Sequence, residues 1–241
     1  MKWYIPREHG AWAMLIVPYW IGAGITGLNI SHVIFFIGLF SLYFAQAPLL
    51  TYIRQPKHRD VWPSFCVYVA SGGVVLVPYF LSDFSLLYIA LLIFPFFCVN
   101  LVFAKIKKER LFINDLSAII ALSGFLLFAY QLGNTSLEHE AFYFMFIVVA
   151  FYVASVFHVK SLLREKENGV FRRVSLAYHF AIVVFMFVFV SNGAGVAFFL
   201  SLAKTLAVTK NSLKKPVQIG IVEIINSIAF FILILSSYYS G

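Results

Sequence analysis

The sequence predicts an all-α polytopic membrane protein, a bundle of about nine transmembrane helices. Of its 241 residues, 62% are hydrophobic and only 12% are charged, which is about half of the charged share of a typical soluble domain. The chain also contains 28 Phe and 13 Tyr. That is more apolar surface than one soluble core of this length could bury. Long apolar runs with charges at their ends complete the pattern.

The apolar runs define the predicted spans. Crossing the apolar layer of a bilayer takes about 20 residues of helix. Runs near that length occur at 10–28, 33–53, 62–81, 85–104, 113–132, 141–159, 175–191, 194–209 and 217–239. They form one membrane domain, 1–241, without a soluble domain. The first run is long enough to span, so we expect an uncleaved first helix rather than a signal peptide.

The positive charges occupy alternate ends of these spans. All 18 Lys and Arg residues lie before span one, after spans two, four and six, or at the end of span eight and beyond it. Such a distribution follows the positive-inside rule. It predicts a cytoplasmic N-terminus and, with an odd number of spans, a C-terminus outside the cell membrane. The net charge of +8 is therefore interpreted as a topology signal. Nucleic acid is not an expected partner, because no basic helix or aromatic strand module accompanies the charge.

Ionisable side chains inside a span are costly and are therefore candidates for function. Glu223 is the strongest candidate, because it lies about 9 Å into span nine at 1.5 Å per residue and a carboxylate there needs a partner or a proton. The other polar candidates within or at the ends of the spans are His9, Asn100, Asn114, Asp115, His158 and His179. All belong to the predicted cytoplasmic half, in contrast to the mid-span Gln46. This asymmetry predicts a polar cavity open to the cytoplasm beneath a dry outer half.

Several of these residues also have a structural interpretation. Asp115 is a candidate helix cap, and His158 and Lys160 are candidates for interface residues that extend towards water. The structural alternative for His179 is a hydrogen bond to a neighbouring helix. His32 falls in a predicted outer loop, where we expect it to be solvated.

The stretch "IPREHGAWAML" (5–15) places three ionisable side chains at the mouth of the first span. Glu8 and Trp12 are four residues apart and so share a helix face. Orientation requires only Lys or Arg, so the Glu8–His9 pair beside Arg7 favours one wall of a site. The alternative for Trp12 is an aromatic anchor at the membrane interface.

Three segments carry a family resemblance. "PREHGAWAMLIVP" (6–18) resembles the start of the YwiC-like family of bacterial membrane proteins, and "RLFINDLSAIIALSG" (110–124) and "HVKSLLREK" (158–166) resemble its later landmarks. In its nine helices, cytoplasmic N-terminus and cytoplasm-facing cavity, the predicted topology is also similar to the UbiA superfamily of membrane prenyltransferases. That similarity implies a prenyl diphosphate held by Mg²⁺ at Asp-rich motifs in spans two and six.

The corresponding segments here, 45–57 and 155–166, contain no Asp. Oxygen ligands for Mg²⁺ are therefore missing where the similarity requires them, and we expect the basic residues of these segments to meet an anionic head directly. The sequence has no HExxH, GxGxxG or Walker loop, so no metal site and no cofactor is assigned. Cys66 and Cys98 are expected to be small buried apolar side chains.

The favoured hypothesis is a transferase-like membrane enzyme that acts on an anionic, lipid- or isoprenoid-like substrate from a cytoplasm-facing cavity. Glu8, His9 and Glu223 are then the catalytic, proton-handling candidates. The candidates for substrate binding are Arg7, Trp12, Arg54, Asn100, Asn114, Asp115, His158, Lys160, Arg164 and His179. Two alternatives remain open: a small-solute transporter with a proton relay, and a non-catalytic membrane scaffold.

Overall fold

The computed structural model describes residues 2–6, 9–134, 136–209 and 216–240, with the side chains of residues 9–11 left out. The described residues form ten α-helices and no β-strand. The helices are α1 (His9–Thr26), α2 (Ile30–Arg54), α3 (Trp62–Ser82), α4 (Phe84–Lys105), α5 (Phe112–Ser123), α6 (Phe125–Gly133), α7 (His139–Leu163), α8 (Gly169–Phe189), α9 (Asn192–Ala207) and α10 (Pro216–Ser240).

The helices are apolar on their outward faces as well as in the core. Val74, Tyr88 and Phe189 are each more than 70% exposed, which is typical of helices surrounded by lipid. Cys66 and Cys98, expected to be buried, are exposed and half-buried. That expectation was wrong because lipid accepts an apolar side chain as readily as a core does. Within the described residues, seven helical stretches are long and apolar enough to cross a membrane. The chain is therefore an all-α polytopic membrane protein.

Three predicted spans differ in form from the rest. The span predicted at 113–132 is a pair of helices, α5 and α6, that meet at Gly124 and together cover Phe112–Gly133. The described apolar part of α1 is the shorter stretch Trp12–Thr26, and α9 has only 16 residues. Both occupy the places of predicted spans, and the count of nine spans stays a prediction.

Consecutive spans run in opposite directions because their connections are short, so the two ends of the bundle differ in chemistry. We call the basic end the one at which α2, α4, α7 and α9 finish and α3, α5, α8 and α10 begin. Each finishing helix carries a cation in its last turn: Arg54, Lys105, Lys160 and Lys204. Cations are favoured there because the helix macrodipole leaves partial negative charge at the C-terminus.

The first helix lies at the centre of the bundle. It packs against α6 and α10, and Tyr19 is fully buried within it. From α7, the Tyr152 hydroxyl donates to the carbonyl oxygen of Ala13 at 2.8 Å. Next to Tyr152, the ring of Phe151 stacks on Phe230 of α10 with centroids 3.9 Å apart. These contacts join α1, α7 and α10, which positions the polar side chains described below.

His32 corrects one expectation about the other end of the bundle. It is fully buried rather than solvated, and its ring Nε2 lies 2.9 Å from the carbonyl oxygen of Ala129 in α6. The expectation was wrong because Asn29 caps α2 in a reciprocal capping box with His32. The histidine therefore belongs to the first helical turn and not to a loop.

Two further hydrogen bonds show that this end is not dry. Gln131, only 5% exposed, donates to the Asp83 carboxylate at 2.8 Å. Tyr130 donates to the Glu140 carboxylate at 2.9 Å. The expected dry outer half is thus wrong in detail, because polar side chains are present and bond to one another, although the Oε1 of Gln131 has no partner among the described residues. They connect the end of α6 to α4 and α7.

Close contact between α1 and α6 depends on Gly22. A Cβ atom at this position would overlap the carbonyl oxygen of Leu126, a backbone atom that cannot rotate away. We expect Gly22→Ala to lower the free energy of unfolding by about 1–3 kcal/mol. Gly73 in α3 faces open space, so Gly73→Ala should be neutral or stabilising by about 0.5–1 kcal/mol. Thermal unfolding in one detergent compares the two, and equal midpoints would contradict this packing.

Candidate functional site

A buried ion pair between Lys204 and Glu223 forms the centre of the candidate site. Glu223 is 5% exposed, and its Oε1 accepts a hydrogen bond from the Lys204 Nζ at 2.6 Å. The other carboxylate oxygen, Oε2, accepts one from the Ser155 hydroxyl of α7. A carboxylate in an apolar bundle requires such partners, because removing it from water is costly.

His158 lies beside this pair without a hydrogen bond of its own. Its Nε2 is 3.9 Å from Oε1 of Glu223, and the residue is 1% exposed. Neither ring nitrogen has a hydrogen-bond partner among the described residues. Leaving a buried polar atom unpaired costs roughly 1–3 kcal/mol, and such atoms mark places where a ligand, a water molecule or a proton is accommodated.

A second buried histidine extends the polar set to α8. The Nδ1 of His179 lies 2.7 Å from the carbonyl oxygen of Ser175. Because a carbonyl oxygen only accepts, Nδ1 carries the hydrogen. The Nε2 is 3.1 Å from the hydroxyl of Thr205, the residue that follows Lys204 in α9. His179 thereby connects α8 to the helix that supplies the lysine.

Together these residues form what we call the four-helix cluster: Ser155, His158, His179, Lys204, Thr205 and Glu223. They converge because the last turns of α7 and α9 lie at the same end as the first turns of α8 and α10. Helical spacing completes the arrangement, since Ser155 and His158 are three residues apart and share a face of α7.

Sequence reasoning identified three members of this cluster and missed three. It singled out His158, His179 and Glu223, but it treated Lys204 only as a topology charge. The signal for Lys204 was its place inside an apolar run, where an ammonium needs a partner. Ser155 and Thr205 carried no signal, because hydroxyl groups in spans usually bond to the preceding helical turn.

A second ion pair, between Asp115 and Lys160, lies between α5 and α7 at the basic end. Lys160 is 7% exposed, and its Nζ also donates to the carbonyl oxygen of Arg110 at 3.1 Å. The helix cap is Leu111 rather than Asp115. The carboxylate therefore balances the buried lysine instead of capping α5, and Lys160 is a packed residue and not an exposed interface cation.

Two amides and a surface ion pair extend this polar region. The Asn100 Nδ2 donates to the carbonyl oxygen of Asn114 at 3.0 Å, and the Asn114 side chain donates to the carbonyl oxygen of Glu109 at 3.0 Å. Arg54 contacts the Glu109 carboxylate through Nε at 2.9 Å and Nη2 at 2.5 Å. This arginine, with its side chain 45% exposed, is already paired in this structure.

Comparison with known proteins identifies the family. The family described as YwiC-like protein matches residues 5–130. The chain belongs to the YwiC-like family. It is 30% identical over 237 residues to the uncharacterized protein YwiC of Bacillus subtilis, an alignment that covers 98% of each chain. It is 26% identical over 238 residues to an uncharacterized protein of Haemophilus influenzae, again with 98% of each chain covered. No solved structure matches it significantly.

These comparisons confirm the YwiC-like resemblance, whereas the UbiA-like topology stays a prediction. The family match ends within α6, and the four-helix cluster lies in the part of the chain beyond it. That part is still covered by the full-length alignments with both relatives. The cluster of this YwiC-like protein is therefore built from a segment that the relatives also possess.

The remaining predicted site residues lie apart from the cluster. Trp12 packs edge-on against Phe40 and Phe44 of α2, with ring centroids 6.0 and 5.8 Å away. Arg164 is exposed at the end of α7. The predicted roles of three residues lie outside what the structure describes: Arg7, Glu8 and the side chain of His9.

The residues before α1 are held at the basic end of the YwiC-like bundle. The Tyr4 hydroxyl donates to the Asp60 carboxylate at 2.6 Å, and the ring of Trp3 lies 5.8 Å from that of Tyr68. The N-terminal segment thus shares its end of the bundle with the candidate site.

The chemistry available in the four-helix cluster is proton exchange. It combines one carboxylate, two imidazoles, one ammonium group and two hydroxyl groups. No group of three or more His, Cys, Asp or Glu side chains in the described part of the chain is arranged to hold a metal ion. Carboxylate and imidazole within one site are typical general acid–base partners.

Breaking the buried pair should destabilise the protein more than removing it completely. Lys204→Met leaves the Glu223 charge without its cation, so we expect a loss of about 3–5 kcal/mol of unfolding free energy. Lys204→Met combined with Glu223→Gln removes both charges and should recover most of that loss. Arg54→Met, at an exposed pair, serves as the control and should cost no more than about 1 kcal/mol. Unfolding in detergent measures these variants together with Glu223→Gln alone, and additive effects of the two cluster substitutions would argue against the pair.

Proposed function

We propose that this YwiC-like protein is a transferase-like membrane enzyme that acts on an anionic, amphipathic substrate of the lipid or isoprenoid type. The observation that carries the proposal is the unpaired His158 imidazole, buried 3.9 Å from the carboxylate of Glu223. Packing alone does not account for an ion pair and two histidines on four helices. Buried ionisable groups within spans are typically functional.

In this proposal, His158 and Glu223 act together on a proton. Lys204 supplies the counter-charge of the Glu223 carboxylate, with its Nζ 2.6 Å from Oε1. A neutral His158 then accepts a proton from a substrate hydroxyl, and Glu223 stabilises the resulting imidazolium. The 3.9 Å separation exceeds a hydrogen bond and is short enough for a modest rotation of the ring to close it. Glu8 and His9 remain proposed participants.

The surroundings of the cluster support the proposed substrate class. The outward faces of the helices are apolar, which suits a hydrophobic tail, and the basic end attracts an anionic head. Arg54 and Lys160, proposed as head-binding residues, are paired with Glu109 and Asp115. A head group reaching either of them would have to displace a carboxylate. Arg164 is exposed at the same end.

A substrate-conversion assay tests the enzyme proposal. Glu223→Gln and His158→Gln are each expected to reduce turnover by about 10²–10⁴-fold, the usual contribution of general acid–base groups. Glu138→Gln, at an exposed carboxylate of the opposite end, is the matched control and should retain activity. Mass spectrometry of lipid extracts from cells that produce each variant at equal abundance measures the effect. The enzyme proposal would be refuted if the lipid profile is the same in cells with and without the protein and in cells that produce each variant.

The same residues support a second candidate, a proton-coupled transporter of small solutes. Carboxylate, ammonium and imidazole groups on neighbouring helices are common in proton relays. The position of the cluster at one end of the bundle is less typical, since carriers usually bind their substrates near the midplane. Proton flux in proteoliposomes that Glu223→Gln abolishes, without lipid conversion, would favour the transporter.

We also propose that the basic end faces the cytoplasm of a bacterial cell, in accordance with the positive-inside rule. The C-terminal end of α10 then lies outside. Alkaline phosphatase fused after Ser240 should be active and a green fluorescent protein at that position dark. The same fusions placed after Lys57, between α2 and α3, should give the reverse pattern. Fluorescence from the C-terminal fusion would contradict the proposed orientation.

A further inference from the structure

A cleft at the basic end opens among the end of α7, the beginning of α8 and the end of α9. The polar residues that line it are Ser161, Lys166, Arg172, Ser175, Thr205 and Thr209. Its cavity volume is about 20 Å³, enough for one water-sized group. Including the open mouth, the empty space is about 360 Å³. Neither Lys166 nor Arg172 was among the candidates predicted from the sequence.

The lining of this cleft is cationic. Lys166, in the connection after α7, and Arg172, in the first turns of α8, are both exposed. No carboxylate lines the cleft among the residues that the structure describes. The N-terminus of α8 adds the positive end of its macrodipole. This contrasts with Arg54 and Lys160, whose charges carboxylates already balance.

Ser175 provides an independent indication of a ligand. The residue is 1% exposed and lines the cleft, and its hydroxyl has no hydrogen-bond partner within the described residues. Buried hydroxyl groups are nearly always satisfied. An unpaired hydroxyl beside an open cationic cleft can be satisfied by an oxygen that enters from outside.

We propose that this cleft binds the phosphate of a substrate head group. Arg172 and Lys166 contact its outer oxygens, and the Ser175 hydroxyl donates to the innermost oxygen. The planar guanidinium suits phosphate because two parallel N–H groups can meet two oxygens. The identity of the ligand as a substrate rests on the proposed function, whereas phosphate binding is testable without any activity.

The cleft adjoins the four-helix cluster through His179. The Ser175 carbonyl oxygen and the Thr205 hydroxyl, both from residues that line the cleft, contact the two nitrogens of this histidine. Lys204, the residue directly before Thr205 in α9, pairs with Glu223. A phosphate in the cleft therefore lies next to the residues that support the proposed acid–base pair.

Binding to the purified full-length protein tests the cleft. The probes are inorganic phosphate, followed by calorimetry in detergent, and phosphatidic acid in phosphatidylcholine nanodiscs, followed by native mass spectrometry. Arg172→Gln should weaken binding about tenfold, as expected for one charge-assisted contact, and Ser175→Ala about threefold. Arg173→Gln, at the adjacent exposed arginine that does not line the cleft, is the matched control and should stay within about twofold.

The outcomes separate the sources of phosphate. Binding of phosphatidic acid that depends on Arg172 and Ser175 supports a lipid head, and equally dependent binding of inorganic phosphate supports a free anion. Equal losses from Arg172→Gln and Arg173→Gln would overturn the site, because they indicate general attraction to a basic surface. So would an absence of binding by both probes. Both binding measurements are made without turnover, so failure of the catalytic proposal leaves this result unaffected.

Discussion

The structure depends on the cost of placing charge inside an apolar bundle. Water cannot stabilise an ionised group there, so each buried charge must find its partner within the protein. Lys204 and Glu223 meet this requirement across α9 and α10, and Asp115 and Lys160 meet it across α5 and α7. These pairs specify which helices are neighbours at the basic end, and they bring other polar side chains of the same turns together.

Both ends of the bundle contain buried polar groups, and the unpaired ones among the described residues include the Gln131 Oε1 at the opposite end. At the opposite end, His32 bonds to a carbonyl oxygen of α6, and Gln131 bonds to Asp83. At the basic end, His158 and the hydroxyl of Ser175 lack partners among the described residues. Proteins retain unsatisfied groups where a ligand or a proton supplies the missing interaction. At the basic end, an unpaired imidazole lies beside a buried ion pair, and this combination, more than the number of polar residues, distinguishes a candidate site from helix packing.

Prediction from the sequence succeeded where the feature depended only on the burial or charge of the residue itself. The depth of Glu223 in an apolar run required a partner, and the alternation of Lys and Arg indicated which helix ends lie together. Prediction failed where the feature depended on a contact with a residue distant in the sequence. His32 was taken as solvated because its contact with Ala129 joins residues 97 positions apart. Arg54 and Lys160 were taken as free cations because the carboxylates that pair with them come from other parts of the chain: Glu109 from the connection between α4 and α5, and Asp115 from α5.

The sequence by itself determined that this is a helical membrane protein whose cations share one end, because hydropathy and charge are properties of each segment alone. Tertiary structure decided which cations are neutralised, which histidine lacks a hydrogen bond, and that Lys166, Arg172 and Ser175 line one cleft. Those properties arise from distances between segments. The periodicity of a helix determines which of its residues share a face, but only packing determines which neighbouring helix that face contacts.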